Sequence, residues 1–264
     1  MVNIVVSAII WGVSYLFGCV GEIISEKAGH LNLGIPGIMC MGAMGGALGA
    51  SLCSSSSWIV LILMSMLFSM LFSLLGGGIY AFLTVSLRCN QNITGLALTT
   101  FGAGFARVIV DKFSNIETIS KLANASDIIS QSLPFASKLG VFGKLFLSYG
   151  FYVYLALAIA IVAHIVLKRT RVGLNLRAVG ENPAAADAVG INVTAYKYSA
   201  ILIGCVIAGL GGAAYFLGPV ARGCDSNFCL TISAIGWISI ALVIFSLWKP
   251  LFAIFGSFIF AVLY

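Results

Sequence analysis

The chain has 264 residues, of which 61% are hydrophobic and only 8% charged, with 30 glycines and a formal net charge of +6. Mean hydropathy is +1.10. A soluble domain carries roughly a quarter charged residues, so this composition excludes a soluble enzyme or a nucleic-acid-binding module and predicts an integral membrane protein.

Apolar stretches that match the ~20 residues a membrane helix needs lie at 3–21, 34–52, 58–87, 93–110, 148–167, 198–219 and 231–248. An eighth begins near Leu251 and meets the chain end at Tyr264. Strand-like alternation over ten-residue segments is absent, which disfavours a barrel. The expected fold is therefore all-α: a polytopic transmembrane helical bundle of about eight segments, the last one truncated. It is expected to form a single transmembrane domain over 1–264.

The first span lacks a basic leader and a cleavage-type ending, which marks it as a retained helix. The segment after it, Gly21 to Gly37 (GEIISEKAGHLNLGIPG), holds three charges and then Gly29, Asn32, Gly34, Pro36 and Gly37. Irregular backbone at membrane depth survives only where protein or a water-filled cavity covers it. Asn32, Gly34 and Gly37 are thus candidates for a substrate pathway, with an ordinary turn before a helix starting at Pro36 as the alternative. In the second span Gly45 and Gly49 form one GxxxG pair and Gly42 and Gly46 another; both are expected to pack helices closely. The glycine-rich stretch 204–214 carries the same expectation.

The 58–87 stretch exceeds one plain span, and Gly76, Gly77 and Gly78 are expected to bend or split it. Gln91, Asn92 and Thr99, at and within the fourth span, offer amides and a hydroxyl to a polar solute. Bonding to local backbone is the competing reading for such hydroxyls. Arg107 is the single cation inside a proposed span; it either snorkels or serves function. All eight acids are expected in loops. Ser54 to Ser57 are expected to form a tight outer turn, and 111–147 short interfacial helices. Cys224 and Cys229 share a proposed outer loop, where a disulfide and free thiols both remain open. The other cysteines show no metal-ligand spacing, and no metal site is expected.

Residues 168–197, KRTRVGLNLRAVGENPAAADAVGINVTAYK, form a polar, basic island. Its core from Arg177 to Gly190 has the build of one short capped helix. Asn182 caps it, Pro183 suits its first position, Ala184, Ala185, Ala186 and Asp187 follow, and Gly190 permits a left-handed stop. With this island cytoplasmic, eight basic residues fall inside and five outside, in line with the positive-inside rule. No nucleotide-binding G-x-x-x-x-G-K-[ST] loop occurs; residues 140–144 only echo it. ATP hydrolysis is therefore not assigned to this chain. Neither does a series of intramembrane acids and histidines suggest a proton relay.

Three blocks resemble the permease subunits of bacterial ATP-binding cassette importers in the simple-sugar, nucleoside and branched-chain amino acid superfamily. They are Glu22 to Gly37, Thr170 to Asn192, and Gly236 through Pro250. The likeness is strongest to permeases paired with Bmp/PnrA-type nucleoside-binding lipoproteins. The resemblance implies a multi-pass protein of the bacterial plasma membrane that is not itself an enzyme. Glu181 to Gly190 would be the coupling helix seated in a cleft of the ATPase, with Arg177 and Glu181 as docking charges or solvated loop residues.

It further implies cytoplasmic ATPase partners that bind the ATP, with no cofactor in this chain. A second permease subunit, identical or homologous, would complete the pathway. An extracellular substrate-binding lipoprotein would deliver a small polar solute, nucleoside first and simple sugar next, and no nucleic acid is implied. Family permeases continue past the position of Tyr264, so C-terminal spans are expected to be missing. An ion-coupled secondary transporter of sugars or amino acids is the alternative function.

Overall fold

The structure is a computed structural model that describes residues 2–53, 57–113, 116–131, 149–221 and 227–263. Eleven α-helices account for nearly all of these residues. They are α1 (Val2–Lys27), α2 (Ile35–Leu52), α3 (Trp58–Ala81), α4 (Gln91–Phe113), α5 (Ile116–Ile129), α6 (Phe151–Arg169), α7 (Arg171–Glu181), α8 (Pro183–Ala188), α9 (Val193–Phe216), α10 (Phe228–Phe245) and α11 (Pro250–Leu263). Seven of the described helices are long and apolar enough to cross a membrane, and α11 is a shorter apolar helix. The expected spans are present within a few residues at each end.

The bundle is organised around α1, α2 and α9, whose membrane windows are mostly buried, while α3, α4 and α6 expose about two thirds of theirs. Small residues decide which helices sit at the centre. In α2 the two glycine pairs serve two different neighbours. Gly45 and Gly49 face α3 at the carbonyls of Phe68 and Met64, whereas Gly42 and Gly46 face α9 at Gly209 and Ala213. A Cβ on Gly42 would sit 2.5 Å from the Gly209 Cα, so the backbones touch there. α1 uses Gly21 against Gly204 of α9 in the same manner. Lipid offers no hydrophobic drive between helices, so such close backbone approach supplies the packing energy.

Several expectations are corrected. The 58–87 stretch is not split at its glycines: it runs unbroken from Trp58 to Ser86, with the final turn, Phe82–Ser86, widened to a π-helix. Gly76 and Gly77 are instead places where Met41 and Cys205 come close, and Gly78 faces open space. Glu22 and Glu26 belong to α1 rather than to a loop, and Glu22 is fully buried. Arg107 pairs with Asp111 one turn on, at 3.9 Å, with both side chains exposed. Asp111 likewise lies on α4, so the acids are not confined to loops. α5 supplies one of the helices expected after residue 111 and is anchored by Ser126, whose hydroxyl donates to the Gly218 carbonyl at 3.1 Å. The serine turn at 54–56, the remainder of the 111–147 loop from 132 on, and Cys224 with its pairing lie outside the described residues.

Candidate functional site

α1 ends in a Schellman turn. Gly29 takes φ +81 and donates to the Glu26 carbonyl at 2.9 Å, while His30 donates to the Ser25 carbonyl at 3.2 Å. A left-handed residue is needed at this position, and glycine pays no Cβ penalty for it. Residues 30–34 then run as irregular backbone between two walls. On one side the Asn32 N–H donates to Glu22 Oε1 at 2.7 Å, and the Asn32 side chain receives the Gly34 N–H at 2.9 Å and donates to Cys205 Sγ at 3.5 Å. On the other, the Tyr80 hydroxyl donates to the Leu31 carbonyl at 2.7 Å, the Leu31 N–H donates to Gln91 Oε1 at 3.0 Å, and the Thr99 hydroxyl donates to the Leu33 carbonyl at 2.7 Å.

Of the six residues proposed for a pathway, five come together in this segment: Asn32, Gly34, Gly37, Gln91 and Thr99. Their polar groups are spent on protein. Gly37 and Gly102 press the backbones of α2 and α4 together, since a Cβ on Gly102 would sit 2.5 Å from the Gly37 carbonyl oxygen. Asn92 is exposed on α4 and outside this network. The segment is thus a latch fixing α1 and α2 to α4 through the hydrogen bonds of Asn32, Gln91 and Thr99.

The sequence reading missed Glu22 as the anchor because it placed that residue in a loop. Its spacing was a usable signal: Glu22 and Glu26 continue the helical register of α1. Replacing Glu22 with Ala leaves the buried Asn32 N–H without an acceptor and should cost about 1–3 kcal/mol. Glu22→Gln keeps the acceptor oxygen and should cost less; thermal unfolding of the two variants in detergent checks the difference.

His30 lies in the same segment, only 2% exposed, and neither ring nitrogen has a hydrogen-bond partner. Burial, aided by Lys197, pulls its pKa from 6.5 down to about 4. The sign follows from proton uptake: between those pH values the unfolded chain binds a proton that the folded chain refuses. Stability should therefore be intact above pH 6.5 and decline on the order of 2 kcal/mol as pH falls toward 4. His30→Leu should flatten that slope in a melting series across pH.

Beside the latch, α3 and α4 enclose an open groove of about 540 Å³. Its walls are largely apolar, with Tyr80, Asn90, Thr94 and the Phe101 ring among them. Asn90 also caps α4, accepting the N–H groups of Asn92 and Ile93 at 3.0 and 3.2 Å. Of these residues, Asn90 and Thr94 are chain neighbours of Gln91, Asn92 and Thr99, which the sequence marked; Tyr80 carried no signal there.

The basic island folds as two helices rather than one. Thr170 caps α7, receiving the Gly173 N–H at 3.2 Å. Asn182 then leaves helical backbone (φ −148, ψ 90), and its side chain receives the Ala185 N–H at 3.0 Å to start α8 at Pro183. Gly190 at φ +83 ends α8 with a second Schellman turn: Gly190 and Ile191 donate to the carbonyls of Asp187 and Ala186 at 2.9 and 3.0 Å. Arg177 and Glu181 sit on α7, before the break, and so are not part of the short helix. The extended backbone that Asn182 needs as a cap separates them.

On α8, Ala186 is buried while Pro183, Ala184, Ala185 and Asp187 are exposed. α7 works as a strut beneath it. Gly173 lies on Leu167 of α6, and Gly180 lies on the Lys27–Gly29 turn at the end of α1. Asn175 donates to the Tyr196 hydroxyl at 2.9 Å.

Residues 4–264 match the family model described as branched-chain amino acid transport system / permease component. The chain belongs to this permease family.

Relatives of the permease agree along most of its length. It is 33% identical to the nucleoside ABC transporter permease protein NupC of Lactococcus lactis, covering 97% of this chain and 79% of that protein. It is 30% identical to the guanosine ABC transporter permease protein NupQ of Bacillus subtilis, over 95% and 77%. With the putative glucose ABC transporter permease protein TsgC13 of Haloferax volcanii it shares 32% identity over 94% and 71%. No solved structure matches significantly. The permease is a multi-pass protein of the cell membrane and a permease subunit of an ATP-binding cassette transporter. Such a system uses ATP on partner ATPase subunits and works with a substrate-binding protein.

Proposed function

We propose that this permease imports nucleosides, pairing with a second permease subunit, identical or homologous, and receiving its solute from an extracellular substrate-binding lipoprotein. The observation that carries this reading is the α3–α4 groove, considered beside two relatives named for nucleosides. The Asn90 amide and Thr94 hydroxyl suit the hydroxyls of a ribose, and the Phe101 ring suits the flat face of a base; aromatic faces stack on bases with little regard to their identity. The glucose-named relative supports a simple sugar as the second reading, since a sugar would use the polar groups and leave Phe101 idle.

In the proposed mechanism, α8 is the coupling helix and docks in a cleft of the ATPase through Pro183, Ala184, Ala185 and Asp187. Closure of the ATPases on ATP displaces α8 together with α7. Gly180 passes that displacement to the Gly29 turn, and the latch passes it to α4, which forms one wall of the groove. The caps at Asn182 and Gly190 keep α8 stiff, so movement is transmitted and not absorbed.

The test is uptake of labelled nucleoside and labelled glucose by the whole transporter in proteoliposomes, with the lipoprotein supplied. Thr94→Val should raise the KM for nucleoside about tenfold, the scale of one lost hydrogen bond, and Asn90→Asp, which keeps the oxygen that caps α4 but loses the amide donor, should raise it as well. Replacing residues 181–190 by a Gly/Ser linker should abolish co-purification of the ATPase. Glucose uptake in preference to nucleoside would select the second reading. Uptake that survives without an ATPase and collapses with the ion gradient would select a secondary transporter.

A further inference from the structure

The bundle end that carries α8 also holds a pocket that has no part in the latch, the groove or α8. It encloses about 410 Å³ between the last turns of α1 and α6, one face of α7 and the turn entering α11. Lys27, Lys168, Arg177 and Lys249 line it, with His164 beside them. No lining residue is acidic. The ion pairs among the described residues, Arg107–Asp111 and Lys121–Glu117, involve none of these four cations. The neighbouring carboxylate, Glu26, accepts the indole N–H of Trp248 and interacts with Lys27. Four cations against this single carboxylate leave an excess of positive charge, and an anion placed among them relieves the repulsion.

The remaining wall is apolar and faces outward. Leu247, Trp248, Leu251 and Phe252 line the pocket and are all exposed, at the turn into the apolar helix α11. Leu247 and Trp248 each take φ +52, a region that disfavours side chains by roughly 1–2 kcal/mol per residue. Such strain persists where surrounding structure over-determines it and clusters at binding sites. Here the strained turn holds Trp248 against Glu26 and sets Lys249 at the rim, 5.1 Å from the centre of the Phe252 ring.

A free phosphate would use the cations but leave the outward apolar wall without a purpose, and so would an acidic side chain of a protein partner. A phospholipid uses both, and basic pockets between membrane helices are known to hold anionic headgroups. We propose that this pocket binds the phosphate headgroup of an anionic phospholipid, with the acyl chains lying over Leu247, Leu251 and Phe252. The lipid ties α7, through Arg177, to the ends of α1 and α6, and so stiffens the strut that carries α8. This site stands whatever solute the groove carries.

The experiment uses purified full-length protein in neutral detergent, with lipid retention read by native mass spectrometry and stability by thermal melting. Phosphatidylglycerol, phosphatidylcholine and inorganic phosphate are compared. Phosphatidylglycerol should be retained and raise the melting temperature, and the other two should not. Retention should weaken about fivefold for each cation removed in Lys27→Gln and Lys249→Gln, recover in Lys249→Arg, and be unchanged in Lys112→Gln at the far end of α4. Equal retention of phosphatidylcholine, or a variant series without effect, overturns the site. Equal stabilisation by inorganic phosphate overturns the lipid and leaves a soluble anion. Loss of ATPase co-purification with phosphatidylglycerol retention unchanged assigns the pocket to a protein partner and likewise overturns it. Should the variants misfold, the comparison of the three additives on the wild-type protein still decides.

Discussion

Ala185→Glu should abolish transport while leaving the permease folded and inserted. Ala185 sits on the exposed face of α8, between the Asn182 cap and the Gly190 stop. Exposed substitutions away from caps and cores usually change stability by less than about 0.5 kcal/mol, and glutamate is a good helix former. The bundle therefore has no reason to respond. A bulky carboxylate on the face proposed to enter the ATPase cleft opposes docking, and coupling energies between sites of about 1–3 kcal/mol imply losses up to about 100-fold. The readouts are solute-stimulated ATPase activity of the whole transporter and the amount of permease in the membrane. Ala186→Glu is the contrasting variant: Ala186 is 2% exposed, so burying a carboxylate there should cost folding as well. Normal transport by Ala185→Glu would remove α8 from the coupling role.

Gly42→Leu should destabilise the bundle by about 3 kcal/mol, the upper part of the usual cost of overpacking. The reason is geometric. A Cβ at this position meets the backbone of Gly209, not the flexible end of a side chain, so α2 and α9 must separate. These two helices belong to the central trio, and their separation exposes the packing on which α1 and α3 depend. Gly78→Leu should be close to neutral, because nothing lies within 4 Å of a Cβ built there. The same substitution type thus separates a packing glycine from one that only faces outward. Melting temperature in detergent is the measurement, and equal loss in both variants would show that the backbone contact with Gly209 does not control the effect, since leucine is the better helix former at either position.

The triple glycine illustrates where sequence reasoning falls short. Three consecutive glycines weaken a helix in isolation, which is why a bend was expected at 76–78. Within lipid, a break would expose backbone groups that water cannot reach, so the helix continues and the glycines become contact points for Met41 and Cys205. Glu22 was misplaced for the opposite reason. A carboxylate is expensive inside a span, and the compensating donor, the Asn32 N–H, becomes visible only when the chain folds back ten residues later. Arg177 and Glu181 were joined to the capped helix of the island because one helix was expected there; a first helix capped by Thr170 takes both residues, and the extended backbone at Asn182 separates them from α8.

Composition and apolar run length by themselves determined the membrane class, the positions of the spans and the caps of α8, because each depends on local chemistry: transfer of side chains to lipid, and the hydrogen-bonding needs of helix ends. The glycine pairs also announced close packing, but not with whom. Tertiary structure alone decided that one face of α2 belongs to α3 and the other to α9, that residues 30–34 are stitched to α4, that Tyr80 and Phe101 share a groove, and that four cations from four segments surround one pocket. Those facts depend on contacts between residues tens to hundreds of positions apart, and no local pattern encodes which of many similar apolar helices will meet.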